Sequence, residues 1–553
     1  MAEHLRSREH LARRERRRVG AGREPEPHPE VRPGRRPAGL LGRLRSGRRH
    51  RAGDLARRPL APAPDGHGSG RQPVYRVLQR RLDQQVHAQA GCRPEPAPRP
   101  ASAPDELSRP MEVQGRTPGN LPAAVRAAAL LPALLALACG EDPTGPPEAP
   151  EPPEPPSAPV ATVVTACEGG RAFRFPCDGV DLVGRVSLPN LTPGRTPDGG
   201  SERWFTNDIW GWTDPQTGVE YALVGRHDGL AIVDLSTTVQ PRPIAFMPSA
   251  ISHSRWRDMK VYADHVFVVS ESTGHGVQVL DLTRLRGLTE FTELQADARY
   301  RDVSAVHNIE INEETGFAYA VGSNSGGETC GAGLHMIDVS SPQNPTFAGC
   351  YAEEGTGRRG TGYTHDVQCV VYRGPDAEHA GREICVGSNE NAIVLSDVTD
   401  KANPTTLSTA RYADYGYVHQ GWLSEDHRYF YQNDEADEYT NQVSRTRMLV
   451  WDLTDLDDPV LAAEHLGPTG AIDHNLYVHE GLIYHSNYTF GVRILDITDP
   501  LNPREVGYFD TVPEHDETNF DGSWSTYPYF ESGLFVVTSK KEGLFVLRLR
   551  QGA

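Results

Sequence analysis

The sequence predicts an all-β fold, a β-propeller of seven four-stranded blades, and three observations carry that expectation. The first is a recurring segment, apolar and β-branched, that closes on an Asp turn: GLAIVDLS (229–236), GVQVLDLT (276–283), GLHMIDVSSPQNP (333–345), AIVLSDVTDKANP (392–404), MLVWDLTDLDDP (448–459) and GVRILDITDPLNP (491–503). GLFVLRL (543–549) is a seventh, with Arg548 in the Asp slot. The repeated Asp234, Asp281, Asp338, Asp397, Asp452 and Asp496 stand 44–59 residues apart, a period that suits a four-stranded blade. The second observation is what surrounds each repeat. A segment such as HNIEIN, HDVQCVVY or DHNLYV comes before it, a strand such as YALVG or FAYAVGS lies between, and PTFAGCY or PREVGYF follows, with Gly, Pro, Asn and Asp at the turns. The third is how the ends meet. The last unit stops at its third strand, and VDLVGRVSL (180–188) at the front is of the missing type. The N-terminal strand should therefore complete the last blade and close the ring, which removes exposed sheet edges. No helix of any length is expected.

The elements follow in order. Residues 1–110 hold 25 Arg against 12 acidic residues and contain no Lys, Ile, Phe, Trp, Asn or Thr. No apolar period there is long enough to build a core. The segment reads as disordered, Arg/Pro/Gly-rich translation of GC-rich DNA ahead of a true start at Met111. An Arg-rich arm for nucleic acid or membrane is the rival reading. Residues 111–138 have Arg116 and Arg126, then an apolar run from Ala127 to Ala138. That is the layout of a secretory signal and too short for a membrane span. It ends in ALAC, a lipobox-like sequence that would make Cys139 the lipidated first residue. A Pro/Glu-rich tract over 140–165 is a stiff spacer, and 166–550 form the propeller. Beyond residue 110 the chain has 31 basic and 62 acidic residues, an acidic body that argues against nucleic acid as a partner.

Cysteine usage agrees with export. Apart from Cys92 and Cys139, six remain: Cys167, Cys177, Cys330, Cys350, Cys369 and Cys385. An even count in an exported chain suggests disulfides, and proximity favours 167–177, 330–350 and 369–385. Zinc is disfavoured, because no CxxC occurs and the spacings are wide.

The repeats resemble the exported bacterial propellers built on LVIVD-type repeats, specifically the choice-of-anchor B family. The carrying segments are SRWRDMKVYADHVFVVSE, THDVQCVVYRGPD, GREICVGSNE, DVTDKANP, HQGWLSEDHRYFYQNDEADE, AIDHNLY and FDGSWSTYPYFESGLFVV, spread over about 165–550. The resemblance implies a propeller at the cell surface or envelope, of a type whose members differ in how they are attached. It supplies no reaction.

In a propeller the first strand of each blade lines the central channel. The polar pairs at those strand starts, Asn207/Asp208, Arg257/Asp258, His307/Asn308, His365/Asp366, His419/Gln420, His474/Asn475 and Phe520/Asp521, should then ring one mouth. Four consecutive units bring His, a concentration of titratable, ligand-capable groups. The bland expectation is structural: a polar pair repeated in every blade caps strand ends and ties blades together. No GxSxG, HExxH or P-loop motif appears. A second candidate is QNDEADEYTNQ (432–442), where Asp434, Glu435, Asp437 and Glu438 crowd hard oxygen donors suited to calcium, though without the EF-hand pattern. Most of the seven Trp should pack between blades, and a few at the mouth could stack on a ligand. The favoured function is a non-catalytic binding module for a protein or carbohydrate, held at the membrane by a lipid anchor. The alternative is a metal-dependent hydrolase with a His/Asp site at the channel mouth.

Overall fold

Each blade is an antiparallel meander whose inner strand belongs to the polar-start segments. The computed structural model describes residues 164–195, 204–237, 240–357 and 359–550. The expectations for 1–110, for the signal at 111–138, for Cys139 and for the spacer up to 163 lie outside the described residues. The inner strands run Thr206–Thr213, Met259–Tyr262, Asn308–Asn312, Asp366–Val371, Val418–Leu423, Leu476–His479 and Ser523–Tyr527. Each neighbours the next, and the last meets the first. The closing strand is Val180–Val186, antiparallel to Gly543–Leu549, and a 3-10 turn follows at Leu188–Leu191. It is two residues shorter than expected. Among the described residues the helices are 3-10 turns of three or four residues.

The Asp turns explain their own recurrence. In six blades the carboxylate at the end of the third strand accepts the backbone N–H two residues on, from Ser236, Thr283, Ser340, Thr399, Thr454 and Thr498, at 2.8–2.9 Å. That is the Asx turn, which lets a strand reverse without an unsatisfied donor. A register shift recurs between third and outer strands, as at Met336/Ile337, Leu395/Ser396, Val450/Trp451 and Ile494/Leu495. Such bulges add twist and spoil the outer edge for pairing.

The core is not central. It is divided into apolar layers between neighbouring blades, because each sheet is buried on both faces. Val367, Cys369 and Val394 of the fourth blade pack on Tyr319 and Met336 of the third. Val183, Val536 and Leu544 of the closing blade pack on Ile209, Ala222 and Ala231 of the first. Two features were not expected. Phe175–Asp178 adds a strand outside the sixth blade, and Thr292–Glu293 pairs in parallel with the outer strand of the first. All three expected disulfides are present: Cys167–Cys177, Cys330–Cys350 and Cys369–Cys385. The last joins directly opposed residues of adjacent strands.

Candidate functional site

Strand starts from consecutive blades meet at one mouth of the channel. His307, His365, His419 and His474 form an arc there, with successive ring centroids 4.2, 4.3 and 4.5 Å apart. Trp524 continues it 4.8 Å beyond His474, and Trp256 stands 6.4 Å from His307. With Asp208, Arg257, Asn308, Asn475 and Glu435 they line a pocket of about 40 Å³, room for an ion and a few waters. Gly322 makes space for the arc. Its φ is +66°, and a Cβ there would lie 2.6 Å from that of His307.

Nδ1 is where the rings are held. His365 Nδ1 donates to the His419 carbonyl at 3.0 Å, and His474 Nδ1 donates to the Trp524 carbonyl. The His474 carbonyl acts on His419 in the same sense, although His419 Nδ1 falls short of hydrogen-bond geometry. A carbonyl only accepts, so it fixes the Nδ1–H tautomer and leaves the Nε2 lone pair for the mouth. Burial holds the His365 pKa well below its ordinary value and brings His419 and His474 down to about 3. These three rings are neutral. His307 differs, because its Nδ1 lies 2.6 Å from Glu271 Oε1. Burial opposes its cation, but the Glu271 hydrogen bond and charge, together with the charges of Asp366 and Glu435, outweigh burial and raise its pKa.

Glu435 completes the constellation. Its Oε2 is 3.6 Å from His419 Nε2 and its Oε1 is 3.7 Å from His474 Nε2. Tyr488 Oη donates to Oε1 at 2.6 Å. Donor atoms of His419, Glu435 and His474 all lie within 4.8 Å of one another. Ligands around a tetrahedral zinc-sized ion stand roughly 3.3 Å apart, so the three need only a small inward shift to hold one.

Beneath the arc the second members of the pairs do structural work. Asp258 Oδ2 accepts Ile309 N–H from the next blade at 2.8 Å, and Gln420 Oε1 accepts Leu476 N–H at 3.0 Å. Asn308 Nδ2 donates to Asp366 Oδ2 at 3.0 Å, and Asn475 Nδ2 reaches Ser525 Oγ at 3.3 Å. Asp258 and Asp366 therefore lie under the mouth and do not line its pocket, while Asp208, Asn308 and Asn475 do both. Burial, then repulsion from Asp258, raises Asp208 to about 7; burial is also the main cause that brings Asp366 to about 7. Asp521 is a correction. It is partly exposed and pairs with Lys541 at 2.9 Å. Trp524 and Ser525 occupy the positions expected for Phe520 and Asp521, because the seventh inner strand starts later than DGSW suggests.

The far end of the channel is a different place. A cavity of about 300 Å³ is walled by Trp210, Trp422, Tyr527 and Tyr529, with Lys260 and Glu310 among its lining. Lys260 Nζ sits 3.3 Å from Asp258 Oδ1, 3.9 Å from Glu310 Oε2 and 4.5 Å from the Trp210 ring.

The acidic loop divides its four carboxylates. Asp434 is spent on Tyr412 Oη and on the N–H groups of Gly416 and Tyr417, so it is not free to hold calcium. Glu435 points to the mouth. Asp437 and Glu438 turn inward to Asp473, which the sequence did not single out. Glu435, expected among calcium ligands, joins His419 and His474 at the mouth instead, and Trp524 and Asp473 were not singled out as site members. The acid in AIDHNLY was the one local signal for Asp473.

An LVIVD repeat model matches residues 330–353. That stretch holds the third strand, Leu334–Asp338, its Asp turn and the outer strand, Thr346–Tyr351, with both members of the Cys330–Cys350 disulfide. The chain is a β-propeller that carries an LVIVD repeat in its third blade. No curated protein matches this propeller. A crystal structure of a protein from Lactobacillus plantarum, a structural-genomics target, is similar at 11% identity and a TM-score of 0.40, covering 61% of this chain and 88% of that one.

Proposed function

We propose that this LVIVD propeller is an exported, non-catalytic binding module that takes its ligand at the histidine mouth of the channel. The observation that carries the reading is the posture of the imidazoles: Nδ1 of His365 and of His474 donates to a carbonyl of the next blade, and Nε2 of His419 and His474 is turned to Glu435. Backbone acceptors behind imidazole ligands are the usual outer support of a metal centre. Two neutral imidazoles and a carboxylate suit a divalent transition ion of the zinc type. Such an ion would also offer an attachment point for a carboxylate or other donor of a protein or carbohydrate ligand. Calorimetric titration of the full chain with zinc tests this. One site is expected, lost in His474→Ala; absence of binding would refute the metal reading.

The second reading, a hydrolase, is favoured by one feature. His419, His474 and Glu435 make three donors, which leaves a coordination position for water. Metal-dependent turnover of ester or phosphoester substrates by the zinc-loaded protein would replace the binding role with this one.

The three disulfides fit an oxidising compartment. We propose attachment to the membrane by lipid on Cys139, after a signal at 111–138 and before a spacer at 140–165, in the manner of the choice-of-anchor B family. Residues 1–110 are then no part of the exported protein. Cys139→Ser is expected to release the protein from membranes, and retention would contradict the anchor.

A further inference from the structure

The carboxylates of Asp437, Glu438 and Asp473 are sealed in the protein, at 0, 4 and 0% exposure. Asp437 and Glu438 come from the turn after strand Tyr429–Asp434 of the fifth blade, and Asp473 from the entry to the sixth. The turn is fixed by its own backbone, with Thr440 N–H on the Ala436 carbonyl and Gln442 N–H on that of Asp437. One oxygen of each carboxylate is used. Asp437 Oδ2 takes Arg447 Nε at 2.8 Å, Glu438 Oε1 takes Arg447 N–H at 3.0 Å, and Asp473 Oδ2 takes Asp434 N–H at 3.1 Å. Of the other oxygens, Asp473 Oδ1 has no hydrogen-bond partner, and the Asp437 and Glu438 carboxyls meet each other in a hydrogen bond. Oxygens of the three side chains approach within 4.8 Å of one another. Among the described residues, Arg447 is the one cation in ion-pair contact with them.

Three buried carboxylates with one guanidinium are short of positive charge, and buried anions without counter-charge are strongly disfavoured. A shared proton can join two of the free oxygens and leaves the third unmet. A cation placed where the three side chains approach one another meets an oxygen from each. The donors are oxygen only, and separations up to 4.8 Å suit bonds of about 2.3–2.6 Å, those of calcium; magnesium demands a tighter octahedron.

We propose that Asp437, Glu438 and Asp473 bind a structural calcium ion that ties the acidic turn of the fifth blade to the entry of the sixth. Glu435 and His474 are each one or two residues away, so the ion also sets the backbone from which the mouth is built. The site is independent of the ligand taken there.

The test uses the full chain, thermally melted after removal of divalent ions with a calcium chelator, then with calcium or magnesium restored. Calcium at a hundredfold excess over its Kd is expected to raise Tm by roughly 3 °C, with magnesium giving less. Calorimetry should count one calcium per chain. Glu438→Gln keeps the acceptor for Arg447 N–H and removes one charge. It should melt below the wild type in calcium, and no lower than the wild type in chelator, where it relieves repulsion. No calcium uptake by the wild type, or Glu438→Gln more stable in both conditions, would overturn the proposal in favour of a proton-sharing cluster.

Discussion

Two clusters of ligand-capable side chains grow from the same two stretches of chain and differ in almost every physical respect. Glu435 and His474, with His419, face the channel mouth; Asp437, Glu438 and Asp473, one to three residues away, face the interior between two blades. Alternation along the entry to the sixth blade separates Asp473 from His474, and in the acidic turn the reversal of the chain carries Asp437 and Glu438 away from Glu435. The mouth set offers neutral nitrogen and one carboxylate beside a small pocket, where a ligand can arrive and leave. The interior set offers oxygen alone and no exposure, where an ion would be trapped as the blades close. Donor chemistry and access change together, and each follows from which way one residue turns.

The largest effect that separates them is loss of the mouth ligands. His419→Ala with His474→Ala should reduce zinc affinity by more than 100-fold and leave calcium uptake unchanged, measured by calorimetry with each ion. Loss of both ions together would show that the clusters are one site. Next comes the support of Glu435. Tyr488→Phe removes the hydroxyl that donates to Oε1, and outer-support residues of metal sites are worth about 10–100-fold in affinity. An unchanged zinc Kd would show that Glu435 is not a ligand. His365→Ala is a sharper control, because its Nε2 is not among the three converging donors. Zinc stoichiometry should survive it, and loss would extend the site along the arc.

The smallest effect concerns pH. The raised pKa of His307 means that the folded chain holds this proton more tightly than the unfolded chain does. The Glu271 contact therefore contributes stability fully present below the ordinary histidine pKa of 6.5, and lost as pH rises through the folded value. Glu271→Gln should lower Tm more at about pH 5.5 than at about pH 8.5. Equal losses at both would show that the contact is not ionic.

The fold was legible because its signals are local and repeated. Alternating β-branched runs, Asx turns after six of the seven third strands and an orphan strand at the front specify a closed ring without knowledge of any long-range contact. The disulfide pairs were legible by proximity for the same reason. The arc of four histidines was legible once the repeats were aligned, although alignment placed Asp521 in it wrongly. The seventh strand keeps the backbone role of the position with Trp524 and Ser525, neither of which looks like a His–Asp pair. The partition of the acidic loop was not legible. Which of four adjacent carboxylates faces the channel, which caps Gly416 and Tyr417, and which meets Asp473 depends on the neighbouring blade, not on the loop.

The most direct measurement is anomalous diffraction from a crystal of the protein grown with zinc. A single strong peak about 2.0–2.1 Å from Nε2 of His419 and Nε2 of His474, with a Glu435 oxygen completing the set, is the predicted result. No peak at the mouth, or one whose ligands exclude both histidines, would contradict the binding role assigned to it.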